Sequence, residues 1–206
     1  VQGFMPDPQV YNEVSEMLLS SVITCSDDIR SLSKLRVLDS YDYSHGVNVC
    51  MLSVLLGNAL GLNPRKLSCL SLGAFLHDIG KTRIPKTIMN KKGPLTNQEY
   101  NIVKLHSSLG YKILKQEMNL PDNVAKIALE HHERFDGSGY PKGLKGEEIN
   151  ELSQIVVICD VYDALVSTKD YGEARPAKKA LKIMLSYGSK WFNPKFLYKF
   201  VHLTSA

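Results

Sequence analysis

The chain has 206 residues, of which 44% are hydrophobic and 22% are charged, and its formal net charge is +4. This length supports one well-cored domain, or one domain with a smaller appendage. No apolar run approaches the roughly 18 residues that cross a bilayer. The charge is too mild to argue for DNA binding, although it suits an anionic small ligand. The cysteines form no CxxC pair, which predicts reduced thiols in a cytoplasmic protein.

The first part of the chain, residues 1–39, is predicted to form two amphipathic helices. Apolar residues recur at helical spacing from Val10 to Val22 and again from Ile29 to Leu38. This part holds no histidine and no chemical motif. We interpret it as a helical lead-in or as the remnant of an upstream domain. Residues 40–206 are then the domain that carries the function.

The second part of the chain is predicted to be helical throughout. Thr96 opens a Thr-x-x-Glu capping box, which is typical of a helix start, and Gly61 suits the end of a helix. The apolar run 155–159 would also suit a strand, but its continuation through Leu165 favours a buried helix. The predicted fold is therefore all-α. Its helices are expected at 43–60, 64–78, from 97 through 110, from 122 or 123 to 133, at 151–165, 175–187 and 194–203, with loops at 81–95 and 136–146.

A His–Asp pair, His77 and Asp78, lies at the centre of the predicted chemistry. A core histidine beside an exposed aspartate at a helix end would also explain the pair. That alternative does not account for Asp160, because a carboxylate buried without a partner in so apolar a segment costs several kcal/mol. Imidazoles and carboxylates bind divalent metals, and a carboxylate is able to bridge two of them. The candidate ligands, from five predicted helices, are His45, His77, Asp78, His106, His131, His132 and Asp160, whereas the isolated His202 is left out.

These residues resemble the HD-GYP branch of the HD superfamily of metal-dependent phosphohydrolases. The sequence HDIGK at 77–81 resembles the HD signature with its following lysine. The sequence HHERFDGSGYP at 131–141 is similar to the HHExxDGxGYP signature that names the branch. The resemblance covers about residues 40–203, and it implies an HD-domain helical bundle for residues 40–206. Further matching segments are IPKTIMNKKGPLTNQEY (84–100), HSSLG (106–110) and DVYDAL (160–165).

The resemblance implies a two-metal site that is bridged by Asp78. Some members hold a third metal through a glutamate four residues before the first histidine of the site. This chain has Tyr41 at that position, so we expect two metals. We expect Fe or Mn, with Zn, Mg, Ni or Co as alternatives, because mixed histidine and carboxylate ligands suit several divalent metals. The implied ligands are His45, His77 and Asp160 for one metal, and His106, His131 and His132 for the other.

The activity implied by the resemblance is hydrolysis of cyclic di-GMP, a bacterial second messenger. The product is the linear dinucleotide pGpG and, in some members, GMP. A hydroxide bridging the two metals would attack phosphorus in line, and the metals would neutralise charge on the phosphoryl oxygens. Asp78 and Lys81 are the predicted catalytic residues, and Lys81 is also expected to contact the scissile phosphate.

The glycine-rich loop 136–141 is expected to shape the wall of the substrate pocket. Gly137 and Gly139 allow backbone conformations that are closed to other residues. Tyr140 is expected to stack on the ligand or to hydrogen-bond it, or else to pack the loop down. The family resemblance also makes this loop a candidate contact surface for a diguanylate cyclase.

The stretch that follows Asp160 departs from the family pattern. Members usually carry an SDRPYR-like stretch whose basic residues hold the phosphates, whereas this chain has STKDYG at 167–172. Lys169, the predicted substrate-binding residue here, keeps a charge without the bidentate fork of arginine. Two alternatives therefore stay open. One is a hydrolase of another nucleotide, and the other is a sensor or docking module that binds cyclic di-GMP or a partner with little turnover.

Overall fold

The computed structural model describes residues 41–167 and 175–205, together with residues 9, 13, 16, 17, 19 and 20. Within this part of the chain the protein is helical and has no β-strand, which confirms the predicted all-α class. The predicted lead-in helices lie almost wholly outside the described residues. Of that segment, Leu19 packs into the core, and Glu16 accepts a hydrogen bond from the Ser68 hydroxyl at 2.8 Å.

The helices follow one another with short connections. A π-helical segment, Ile113–Glu117, continues the fifth helix, and 3₁₀ segments cover Ile79–Arg83 and Gly146–Glu148. In chain order the α-helices are α1 (Tyr41–Ala59), α2 (Pro64–Leu76), α3 (Lys86–Met89), α4 (Asn97–Lys104), α5 (His106–Lys112), α6 (Asp122–Glu130), α7 (Glu151–Val166), α8 (Ala177–Trp191) and α9 (Pro194–Ser205).

The starts of α2 and α4 follow from side-chain capping. The Asn63 side chain accepts from the Lys66 backbone N–H at 2.9 Å, and Pro64 occupies the first turn, where its missing N–H costs nothing. Thr96 and Glu99 form the predicted capping box, in which each side chain accepts from the other residue's backbone N–H.

Three regions differ from the predicted helix boundaries. The helix expected to run from 97 through 110 is divided at Leu105, whose N–H bonds to Ile102 O at 3.1 Å and so tightens the last turn of α4. The expected loop 81–95 contains the end of a 3₁₀ segment and the short α3. Gly188 was expected to end a helix; its backbone (φ 47°, ψ −135°) does break the helical path, but α8 continues to Trp191.

The hydrophobic core has two parts, and α2 contributes to both. The larger part joins α2 to α1 and to α7, α8 and α9, and the smaller part joins it to α5, the π segment and α6. The run 155–159, which the sequence predicted to be helical rather than a strand, lies in the middle of α7 and is fully buried in the larger part. None of the helices in the described residues is both long enough and apolar enough to cross a membrane.

Candidate metal centre

The structure brings together all seven of the candidate ligands that the sequence predicted. The first group, here called the His45 cluster, contains His45, His77 and Asp160, with ligand atoms that all lie within 4.8 Å of one another. In this cluster His45 Nε2 is 3.2 Å from Asp160 Oδ1. The second group, the His106 cluster, contains Asp78, His106, His131 and His132 within the same limit.

Helix ends supply most of these side chains. His77 directly follows α2, His106 is the first residue of α5, and His131 directly follows α6. At such ends the helix presents side chains toward the next element instead of along its own surface. His45 lies near the start of α1, and Asp160 lies within α7. Side chains from five helices therefore converge on one point, although their positions in sequence span more than half of the chain.

Asp78 lies between the two clusters and faces both. Its Oδ1 is 3.5 Å from His106 Nε2 and 3.7 Å from His131 Nε2. Its Oδ2 is 3.4 Å from His77 Nε2 and 3.8 Å from His45 Nε2. The two oxygens of one carboxylate thus face different sets of imidazoles, which is the arrangement that a bridging ligand requires.

Backbone carbonyls fix the orientation of three of the imidazoles. In each case the ring Nδ1 lies close to the carbonyl oxygen three residues earlier in the chain. Because a carbonyl oxygen only accepts, Nδ1 must carry the hydrogen, and Nε2 is left with its lone pair toward the centre. The Nδ1–O distances are 2.7 Å for His77, 2.6 Å for His106 and 2.9 Å for His131.

Several buried polar atoms of this centre lack the hydrogen-bond partner that proteins usually supply, and a cation would fill that role. Among the described residues, His77 Nε2 and Asp78 Oδ1 are buried and have no hydrogen-bond partner. Leaving such an atom unsatisfied costs about 1–3 kcal/mol. His106 Nε2 and His131 Nε2 lie 3.2 Å apart, and with Nδ1 protonated in both rings neither neutral ring has a hydrogen for this contact. A divalent cation that accepts these lone pairs removes all three conflicts.

The charge state of the ligands suits the same conclusion. Burial alone raises the pKa of Asp78, but the surrounding imidazoles, His77 first, outweigh it and hold that pKa well below its usual range. Burial lowers the pKa of His106 to about 4 and also lowers that of His132. Ionised carboxylates and neutral imidazoles are the forms that bind metals.

His45 behaves differently from His106 and His132. Burial lowers its pKa, but hydrogen bonds to the Asp160 and Asp163 carboxylates outweigh that effect and raise the pKa to about 10. The imidazolium therefore supplies the positive charge between these carboxylates when no cation is bound. Metal binding to the His45 cluster must release this proton.

Asp163 is a residue of the centre that the sequence interpretation missed. Its Oδ2 is 2.7 Å from His45 Nδ1, and its Oδ1 accepts from Asn48 Nδ2 at 3.1 Å. Since the Nδ1–H of His45 points to Asp163, its Nε2 faces the cluster, as in other carboxylate–histidine–metal arrangements. The sequence signal was present: Asp163 follows Asp160 by three residues in one helix, so the two share a face.

Asp163→Ala is expected to weaken metal binding at the His45 cluster by about 10- to 100-fold, because it frees the His45 ring and removes the supporting charge. A metal titration that resolves the tighter and weaker sites measures the change. Asp163→Asn, which keeps an acceptor oxygen, should lose less affinity, and Asp122→Ala on the surface should lose none. Equal affinities for the Ala variant and the wild type would contradict this role.

The predicted loop residues border the His106 cluster. The Tyr140 ring stacks on His132 with ring centroids 4.8 Å apart and planes 28° apart. Gly139 must be glycine, since an added Cβ would lie 2.4 Å from Arg134 N. Gly137 has φ +86°, a backbone conformation that favours glycine. Glu133, also missed from the sequence, is buried and accepts from the N–H groups of residues 142 and 144, at 2.7 and 3.1 Å, which holds the loop in place.

The predicted cationic residues are placed in part. Lys81 Nζ donates to Asp78 Oδ2 at 2.5 Å, and its side chain is 36% exposed, so it lies at the rim of the centre. Lys169 and the side chain of Tyr41 lie outside the described residues.

Comparison with known proteins agrees with this geometry. A family model described as an HD domain matches residues 30–196. A cyclic di-GMP phosphodiesterase of Pseudomonas aeruginosa is 35% identical over 190 residues, which are 92% of this chain and 46% of that protein. A cyclic di-GMP phosphodiesterase response regulator of Xanthomonas campestris is 42% identical over 142 residues, which are 68% of this chain and 38% of that protein. The chain thus spans less than half the length of either relative.

A solved structure shares the fold. An HDG"Y"P protein from Bdellovibrio bacteriovorus superimposes with a TM-score of 0.78 at 24% sequence identity, over 97% of this chain and 65% of that one. Since the family model covers residues 30–196 and the HHExxDGxGYP residues lie at 131–141, the chain belongs to the HD domain family, in its HD-GYP branch.

Proposed function

We propose that the chain is a metal-dependent phosphodiesterase that hydrolyses cyclic di-GMP to linear pGpG, with GMP as the product of any second hydrolysis. The observation that carries this proposal is the position of the Asp78 carboxylate, which lies between the imidazole nitrogens of the His45 cluster and those of the His106 cluster. The proposal is also supported by the two relatives described above, which are both named cyclic di-GMP phosphodiesterases. Because the proposed substrate is an intracellular messenger, the proposal also implies a cytoplasmic location.

The two clusters are proposed to hold one divalent cation each, Fe or Mn, with Asp78 as a ligand to both. Bound there, the cations would supply the Lewis acidity that activates water for attack on phosphorus and that offsets charge on the phosphoryl oxygens. The chain's own contribution is orientation. Carbonyl-bound Nδ1–H groups orient His77, His106 and His131, and Asp163 orients His45, so four of the five ligand imidazoles already direct Nε2 inward.

Lys81 is the proposed contact to the reacting phosphate. Its ammonium already lies on the inner carboxylate, at 2.5 Å from Asp78 Oδ2, while the stem remains partly exposed. An anionic phosphate that enters beside Asp78 meets this charge first. Lys81 Nζ would then donate a hydrogen bond to a phosphoryl oxygen or to the leaving 3′ oxygen, whose negative charge increases as the bond to phosphorus breaks.

The loop 136–141 is proposed as one wall of the substrate pocket. The Tyr140 ring stacks on His132, so it lies beside the His106 cluster. Gly139 serves this wall by allowing a close approach, since an added Cβ would lie 2.5 Å from His132 O, and Gly137 serves it through its positive φ of +86°. The contact with a diguanylate cyclase through this loop stays a prediction.

Turnover of purified, metal-loaded protein tests the proposal. The chain is loaded with Mn²⁺, or anaerobically with Fe²⁺, and incubated in parallel with cyclic di-GMP, cyclic di-AMP and cyclic GMP–AMP, and the products are separated by chromatography. We expect conversion of cyclic di-GMP to pGpG, and none in a chelator-treated control. Faster turnover of another cyclic dinucleotide would show that this dinucleotide, and not cyclic di-GMP, is the preferred substrate. Tight binding without product would favour the sensor alternative.

A further inference from the structure

Beside the metal centre, two residues that the proposed mechanism does not use, Tyr100 and Lys104, form a surface together with Tyr140 of the pocket wall. It consists of Tyr100, Lys104 and Tyr140 and is called the Tyr100 face here. Lys104 Nζ lies 5.2 Å from the centroid of the Tyr100 ring and 5.8 Å from the centroid of the Tyr140 ring. The ammonium is therefore held between two aromatic side chains, by cation–π contact with both.

The Tyr100 face is continuous with the metal centre. Tyr140 stacks on His132, which belongs to the His106 cluster. Lys104 is the last residue of α4, two residues before His106.

The exposure of α4 leaves Tyr100 and Lys104 accessible to a ligand. None of its residues is buried, and Tyr100 is 49% exposed. In the described part of the chain, no carboxylate lies within ion-pair distance of Lys104, whereas Lys91 nearby pairs with Glu99 at 2.6 Å. A partly exposed ammonium that contacts only π faces keeps its N–H donors for a ligand.

The chemistry of the face matches one kind of group. A guanine edge presents two neighbouring acceptors, O6 and N7, which pair with a lysine ammonium, whereas adenine has an N6 amino donor in place of O6. An exposed tyrosine ring is a platform for stacking a base. A cyclic dinucleotide with one phosphate at the metal centre must place at least one base beside that centre.

We propose that Tyr100 and Lys104 form a base subsite in which Tyr100 stacks on a base of the substrate and Lys104 donates to its O6 and N7, so that guanine is preferred over adenine. This inference rests on the proposed function, since it assigns a base to a cyclic dinucleotide bound there.

Equilibrium binding to non-hydrolysable substrates tests the subsite. The probes are the phosphorothioate analogues of cyclic di-GMP and cyclic di-AMP, titrated into Mn²⁺-loaded protein. Lys104→Met should weaken binding of the guanine analogue by about 5- to 100-fold and change that of the adenine analogue much less. Tyr100→Ala should weaken both by a similar factor, and Tyr100→Phe should restore both. Metal content per chain, measured on each variant, should stay at the wild-type value.

Matched controls and turnover separate the outcomes. Lys195→Met and Tyr198→Ala make the same chemical changes on α9 and should leave both affinities unchanged. Either of two results would overturn the subsite. One is a Lys104→Met variant that loses affinity equally for both analogues, so that the ratio of the two affinities is unaltered. The other is a wild type that does not prefer the guanine analogue. Selective binding by the wild type, with loss of selectivity in Lys104→Met but no hydrolysis of natural cyclic di-GMP, supports the subsite and refutes the proposed activity.

Discussion

Asp78→Asn is expected to remove most of the bound metal and to lower turnover of cyclic di-GMP by more than about 100-fold. Loss of an outer partner of a metal ligand already costs about 10- to 100-fold, and Asp78 faces both clusters directly. Its Oδ1 is 3.5 Å from His106 Nε2, and its Oδ2 is 3.4 Å from His77 Nε2. An amide has the same shape but is neutral and keeps one acceptor oxygen, so it cannot serve two cations.

Metal content and thermal stability check this expectation independently of turnover. A cation present at 100 times its dissociation constant stabilises the folded wild type by about 2.7 kcal/mol, which corresponds to roughly 5–10 °C in Tm for a chain of this size. The metal-dependent rise in Tm should be much smaller in the Asn variant. Asp122→Asn, which breaks a surface pair with Lys126 at 3.2 Å, is the matched control. It should keep the wild-type metal content and the full metal-dependent rise in Tm. Wild-type turnover in Asp78→Asn would rule out the bridging role.

The helices and the ligand set were accessible from the sequence for the same physical reason. Capping residues such as Thr96 and stop residues such as Gly61 act locally, so their pattern alone predicts where a helix begins or ends. The ligand types were visible because a histidine pair and an aspartate within apolar segments need an explanation. Their grouping into two clusters was implied by family resemblance, and the structure brings the side chains together in those groups.

Features that depend on contacts distant in sequence were missed. Asp163 acts on His45, which lies 118 residues away along the chain. Its spacing from Asp160 indicates a shared helix face, but it does not report the pairing with His45. Tyr100 and Lys104 belong to an exposed amphipathic helix that has the composition of an ordinary solvated surface. Their position beside Tyr140 joins α4 to the glycine-rich loop, which is distant in sequence, so no local pattern reports it.

Gly80 illustrates the same limit, because its importance lies in one close approach between two segments. The sequence indicated only a helix stop. In the structure the 3₁₀ segment that follows Asp78 packs directly on α5, and a Cβ added at Gly80 would lie 1.9 Å from His106 O and 2.5 Å from Gly110 N. Both obstacles are backbone atoms, which cannot move aside as a flexible side chain does. The glycine is therefore what allows Asp78 to approach His106.

Gly80→Ala is accordingly expected to destabilise the protein by about 3 kcal/mol or more, the upper range for overpacking, and to lower Tm by roughly 6–12 °C. Because relief of the clash moves Asp78 away from His106, metal content should fall as well.

Gly61→Ala is the control: nothing lies within 4 Å of its added Cβ, and only its φ of +78° is unfavourable, which costs about 1–2 kcal/mol. Thermal unfolding of metal-free protein isolates the packing effect, and metal content measured below Tm reports the displacement of Asp78. A Gly80 variant no less stable than the Gly61 variant, with full metal content, would show that the 3₁₀ segment and α5 can separate without disturbing the centre.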